Sequence, residues 1–250
     1  MSRLDLWFVD SLALSAPAGV MCPDQDGLLL PTNSGTDILG ASFELQATPA
    51  TAVPEPIATI RGIAADAFSI YLFDDSRLYR LDRSRGLLST LASNIQYQGC
   101  VMLPGGELVL SDGYSDRLLT FDASGTVSDI NAHRPQFKPG ALARGADNSL
   151  FVINSGLQEL TVFDRIGNLL RTCPLPSAMS RVAVDDSLNA YLLERAGGQI
   201  WRVNRHNQLR KVAGEELGIR FVAFDIAIHQ QWLYLLDSGR RVLRFRLAAD

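Results

Sequence analysis

The stretch "LVLSDGYSDRLLTFDASG", Leu108 to Gly125, sets two short apolar runs on either side of a Ser-Asp-Gly turn and closes on an Asp-x-x-Gly turn. Runs of about 4–6 residues rich in Leu, Val and Phe, bounded by Gly, Asp and Ser, are the pattern of a β-hairpin. A lone hairpin cannot bury both of its faces. The question is therefore what else in the chain packs against it.

Its surroundings answer that question. In "QGCVMLPGGELVLSDGYSDRLLTFDASGTVSDI" the hairpin is preceded by a strand from Gly99 and followed by one ending at Ile130. The same order of runs and turns starts again from Gly19, Gly62, Gly140, Arg181 and Asp225, with Arg181 standing where Gly stands in earlier units. Successive starts are 37 to 44 residues apart. A period near 40 residues with four short strands per unit is that of a propeller blade. No stretch of about 11 residues has clean i, i+3, i+4 apolar spacing, so helices are not expected.

The expected fold is all-β: a six-bladed β-propeller with four-stranded antiparallel blades. It is read as one domain over residues 1–250, with blades starting near 17, 61, 98, 139, 180 and 224. Radial stacking lets each sheet cover its neighbour and leaves only short edges. The last unit holds three strands (Asp225–Ile228, Leu233–Leu236, Val242–Leu247), whereas the chain begins with an unassigned β-like run, Leu4–Val9. That run, about residues 4–10, is expected to supply the fourth strand and close the ring.

The repeats resemble NHL repeats. The resemblance rests on Pro17-Ala18-Gly19-Val20 at the start of a unit, Asp24-Gln25-Asp26-Gly27 at a first turn, and Asn154-Ser155-Gly156 and Asp237-Ser238-Gly239 at a second turn. Phe121-Asp122-Ala123-Ser124-Gly125 and Phe163-Asp164-Arg165-Ile166-Gly167 carry it at the end of a unit. It spans Pro17 to Leu247; the unit from Arg181 departs most, and the first lacks the closing Asp. The resemblance implies a six-bladed propeller used mostly for binding, as a scaffold of protein complexes and in some members for RNA. A minority of related propellers are metal-dependent lactonases or amidating lyases.

Composition narrows the classes. Apolar residues are 47% and charged residues 20% of 250, enough apolar material for a packed core. A net charge of −4 lacks the basic excess of a protein built to coat nucleic acid. Only Lys138 and Lys211 are lysines among the basic residues, as a GC-rich genome would give. Cys22, Cys100 and Cys173 are odd in number and far apart, with no C-x-x-C, and read as free thiols packed as small hydrophobes in a reducing compartment. Asp5 and Asp10 interrupt the first apolar run, so it does not read as a signal peptide. No run of roughly 18 apolar residues occurs. A cytoplasmic location is the expectation, or export if a leader has been trimmed.

Chemical motifs are sparse. A metal-dependent propeller enzyme needs converging ligands, and His133, His206 and His229 fall in different blades. Asp66, Asp185 and Asp225, read as lying at strand entries, could face the channel together; their simpler role is to bond turn amides. No G-x-S-x-G and no phosphate-cradling glycine loop is present; Gly105-Gly106 and Gly197-Gly198 read as hairpin turns. No catalytic residue, metal ligand or cofactor is assigned. From Arg195 to Arg246 the local net charge is +6, with Trp201 and Trp232 interspersed, which gives RNA binding a foothold. Alternation puts Arg244 and Arg246 on one face and Leu243 and Phe245 on the other, with Asp5 and Asp10 as neighbours if the first strand pairs there. Gln46–Pro56, rich in Ala, Thr and Pro, reads as an extended spacer.

The middle-hairpin turns of all blades should emerge on one face, where loops on a rigid scaffold bind. Asp112, Tyr114, Arg117, Arg240 and Arg241 are the candidate binding residues there. The expected function is a non-enzymatic protein-binding scaffold or accessory subunit of a larger, bacterial assembly. A lactonase-like or lyase-like metalloenzyme is the second reading, and RNA binding through the late blades the third.

Overall fold

The computed structural model describes residues 6–14, 18–25, 27–32, 35–40, 43–47, 57, 59–130, 134–196, 198–213, 219–238 and 240–248. Asp5, His133 and most of the Ala/Thr/Pro segment lie outside these residues. Every regular element described is a strand, and the strands form six four-stranded antiparallel sheets.

Blade 1 runs β2 (Cys22–Asp24), β3 (Gly27–Thr32), β4 (Gly35–Gly40) and β5 (Leu45–Ala47). Blade 2 runs β6 (Gly62–Ala65), β7 (Ser69–Phe73), β8 (Arg77–Asp82) and β9 (Leu88–Ser93). Blade 3 runs β10 (Tyr97–Met102), β11 (Leu108–Asp112), β12 (Arg117–Phe121) and β13 (Val127–Ile130), so the opening stretch is its middle hairpin. Blade 4 runs β14 (Pro139–Arg144), β15 (Leu150–Asn154), β16 (Glu159–Phe163) and β17 (Leu169–Pro174). Blade 5 runs β18 (Met179–Val184), β19 (Ala190–Glu194), β20 (Ile200–Val203) and β21 (Leu209–Ala213). Blade 6 combines β22 (Ala223–His229), β23 (Trp232–Asp237) and β24 (Arg241–Leu247) with β1 (Leu6–Ala13) from the start of the chain. The inner strands touch in the order β2, β6, β10, β14, β18, β22, and β22 meets β2, which closes the ring.

The core lies between blades, in six apolar clusters. The second strand of each blade is covered on both faces, so it reads as an unbroken apolar run: Leu150-Phe151-Val152-Ile153 is buried throughout. The third strands are less fully covered: in β12 Leu118 and Phe121 are buried on opposite faces, in two different clusters, while Arg117 is exposed.

The closing strand carries one feature that alternation hides. Phe8 pairs with Phe245 but Asp10 pairs with Arg244, so Val9 is bulged out of register. A one-residue slip moves every following side chain to the opposite face. Leu6 accordingly packs between blades 5 and 6, while Leu12 packs between blades 6 and 1.

Candidate functional site

The inner strands all run the same way, so the channel has a head end, where they begin, and a tail end, where they finish. Middle-hairpin turns emerge at the head end. Three of these turns are built by one device. Asp112 is buried and accepts from the N–H groups of Gln96 (2.8 Å), Tyr114 (3.2 Å) and Ser115 (3.1 Å) and from the Ser115 hydroxyl (2.7 Å). Asn154 accepts from the N–H of Lys138 and of Gly156, and Asp237 from the N–H of Val222. Each side chain thus ties its own turn to the residues leading into its blade's inner strand. At the tail end, Asp122 and Asp164 cap the other hairpin turns, accepting from Ser124, Thr126, Ile166 and Asn168 N–H groups. Gly125 and Gly167 supply the left-handed φ these turns require, 84° and 95°.

The five candidate binding residues sit on head-end turns of blades 3 and 6, which lie on opposite sides of the ring. Tyr114 projects into solvent with 85% of its surface exposed. Arg117 bonds Asp129 across the blade at 3.0 Å. Arg240 is exposed, and Arg241 pairs with Asp237. The Asp112 carboxylate is consumed by its turn, whereas Tyr114 and Arg240 face outward. Leu157, Val222 and Phe224 add exposed apolar surface on the same face.

Asp66 and Asp185 are not at strand entries and do not join Asp225, because each follows the last residue of its inner strand. They lie at the tail end and accept from turn amides, Asp66 from Phe68 and Ser69 and Asp185 from Asn189. Asp225 lies at the head end. His229 is half-buried at the tail end, where burial lowers its pKa against the pull of Asp24, and His206 is exposed on an outer turn of blade 5. Among the described residues no three His, Cys, Asp or Glu side chains converge as a metal site.

The late basic residues are partly spent internally. Arg244 lies over Phe43 (4.3 Å) and Trp232 (4.6 Å) and is 3.8 Å from Asp10, its partner in register. Such desolvated cation–π stacking contributes on the order of 1–2 kcal/mol. Trp201 and Trp232 are half-buried against interblade clusters. Leu243 and Phe245 are in the core, as alternation predicts.

What sequence reasoning did not assemble is the head end of the channel. All six inner strands line a cavity of about 350 Å³. Gly62, Gly99, Arg181 and Asp225 occupy equivalent positions, each paired with the residue just before the head-end turn: Phe73, Ser111, Leu193 and Leu236. By blade order Arg181 faces Gly62 across the ring, and Asp225 faces Gly99. Tyr97 fills the hollow over Gly62, where a Cβ would come within 2.1 Å of its ring, and it stacks on Phe73 at 4.7 Å. Arg181 Nε contacts Asp225 Oδ1 at 3.2 Å, and Arg181 Nη1 donates to the Ser180 carbonyl at 2.9 Å. Asp225 also accepts from the N–H of Met21 (2.7 Å) and of Ile226 (3.0 Å), tying blade 6 to blade 1.

Burial sets the charges here. It raises the pKa of Asp225 despite the opposing pull of Arg181. It pushes the Cys100 thiol up to about 12 and the Cys22 thiol higher still, and holds the Tyr97 phenol well above its usual value. Both thiols are therefore protonated at neutral pH and are poor nucleophiles. The site offers a fixed guanidinium, a phenol and apolar walls, a set suited to holding a ligand.

No family model matches the chain, and no curated protein sequence matches it. Solved structures do. A virginiamycin B lyase from Staphylococcus aureus, with quinupristin, is 9% identical and superposes with a TM-score of 0.69 over 98% of this chain and 100% of that one. A protein described as a putative gluconolactonase is 14% identical, with a TM-score of 0.68 over 98% and 97%. YCF48 bound to D1 peptide is 13% identical, with a TM-score of 0.67 over 100% and 99%. At such identities the likeness is one of fold, and it agrees with the strand order and ring closure: the chain is a six-bladed β-propeller.

Proposed function

We propose that this protein is a non-enzymatic docking module, a scaffold or accessory subunit that presents the head face of its ring to a protein partner. The observation that carries this reading is the pairing of rigid turns with outward side chains. Asp112, Asn154 and Asp237 lock the turns, and Tyr114, Leu157, Val222 and Phe224 stand exposed on the face so formed. Ordered loops lose little entropy on binding, and exposed Tyr and Phe are anchor types. The fold likeness to a propeller solved with a peptide is in keeping with this use.

The lyase and lactonase reading would need a converging ligand set, which the described residues do not provide. The RNA reading is weakened by the pairing of Arg241 with Asp237 and the stacking of Arg244. Among the described residues no helix is long and apolar enough to cross a membrane.

The test is affinity capture from the native lysate with three baits: wild type, Tyr114→Ser with Arg240→Glu, and the tail-face control Phe68→Ser. A partner held by wild type and the control but lost by the head-face variant supports docking. A partner lost only with the control, or RNA as the sole co-purifying species, refutes it.

A further inference from the structure

We propose that the head end of the channel binds a monocarboxylate carrying a compact apolar group, with Arg181 taking the carboxylate. The inference does not rest on the docking function. It starts from the departure of blades 5 and 6 from the repeat. Blades 2 and 3 place Gly62 and Gly99 at a position where blade 5 carries a full-length arginine and blade 6 an aspartate.

Asp225 is held by the protein itself: its two oxygens accept from Met21 N–H and Ile226 N–H, Oδ1 lies 3.2 Å from Arg181 Nε, and its side chain is 9% exposed. Its role is to orient the guanidinium, so it is a positioning residue. Arg181 stays 33% exposed, with Nε on Asp225 and Nη1 on the Ser180 carbonyl. No bond among the described residues engages Nη2, which leaves the N–H groups of one nitrogen of a pre-oriented, cavity-lining guanidinium for a ligand. Charge-assisted N–H···O bonds to a carboxylate are the strong use of such groups. The pair is neutral as a whole, so a single negative charge suits it better than a phosphate dianion.

Past Arg181 toward the tail, the channel is lined by Ala64, Ala143, Ala183 and Ala227 with Cys22, short apolar side chains that leave room at the axis. Burial keeps both channel thiols protonated, so neither adds an anion beside the guanidinium; Asp185 and Asp186 line the same cavity at its tail end. Tyr97 gives an aromatic wall, with its hydroxyl directed at Cys100 Sγ (3.7 Å). A cavity of about 350 Å³ is at the lower end for small-molecule sites and suits a ligand of roughly ten heavy atoms. The carboxylate could belong to a free acid or to the C-terminus of a peptide.

Calorimetric titration of the full chain tests this with 4-methylpentanoate, its primary amide, and a tripeptide ending in leucine with a free or an amidated C-terminus. The acid, the free-terminus peptide or both should bind, and the matching amides should bind at least about tenfold more weakly. Which of the two carboxylates binds identifies the source. Arg181→Gln should lower affinity more than about tenfold. Ala183→Leu, which narrows the apolar layer and leaves Arg181 in place, should lower it by a similar factor and keeps the test valid if Arg181→Gln fails to fold. Equal binding of acids and amides, no binding by wild type at millimolar concentration, or full affinity in Ala183→Leu overturns the inference. Carboxylate binding by a protein that captures no partner would leave it standing.

Discussion

The closing strand gives the sharpest test of the fold, through Leu6. This side chain is fully buried and packs with Leu235, Leu243 and Phe245 between blades 5 and 6. Leu6→Ala removes buried carbons from a ring that cannot collapse freely around the gap. Such truncations cost about 2–5 kcal/mol, and about 3 kcal/mol is expected here. With a urea dependence of about 3 kcal/mol per molar, the unfolding midpoint should fall by about 1 M. Val9 is the control, because it is bulged out of register and 45% exposed; Val9→Ala should cost well under about 1 kcal/mol. The assay is urea unfolding followed by tryptophan fluorescence for wild type and both variants. If Leu6→Ala and Val9→Ala shift the midpoint equally and slightly, the strand is a loose tail and the ring closure argued here is wrong.

Other expectations follow from single contacts. Gly62→Ala drives a Cβ into the Tyr97 ring and should cost about 1–3 kcal/mol in urea unfolding, with a large part recovered when Tyr97→Leu is added. Arg83 donates two 2.9 Å bonds to the buried Asp24 carboxylate and so joins blades 1 and 2; Arg83→Ala should cost about 2–3 kcal/mol, and adding Asp24→Asn should restore part of it. Bonds from Ser124 to Asp122 and from Asn168 to Asp164 hold these carboxyls below their usual pKa. A depressed folded pKa gives stability that is present above the unfolded value of about 4 and is lost as pH falls through the folded one. Stability should therefore decline below about pH 4, and less steeply in Asp122→Asn with Asp164→Asn. Asp225, raised by burial, works in the opposite sense.

The blades were legible because each second strand is covered on both faces and so reads as an apolar run between turn residues, from Leu28-Leu29-Leu30 to Leu233–Leu236. Trp7 and Phe8, with a last unit one strand short, pointed to closure across the two ends of the described chain. The bulge at Val9 left no local signal, since alternation alone carries Leu6 and Leu12 to one face. At Asn154-Ser155-Gly156 the turn is visible, but that its first residue also fastens the inner strand depends on a partner sixteen residues back, Lys138. The channel site was half legible. Arg181 breaks the repeat at a position that is Gly in two other blades, and that break is the signal. Its meaning appears only when blades 3, 5 and 6 bring Tyr97, Arg181 and Asp225 to one end of one cavity. Periodicity within a blade carries no information about what faces it across the ring.

The central claim is that the head end of this ring is its working end. Hydrogen exchange of the protein, free and in the complex it forms in native lysate, tests that claim most directly. The account predicts protection at head-end segments 95–99, 113–116, 155–158 and 219–224, with tail-end turns 66–68, 83–87 and 123–126 unchanged. Protection confined to the tail-end turns would contradict it.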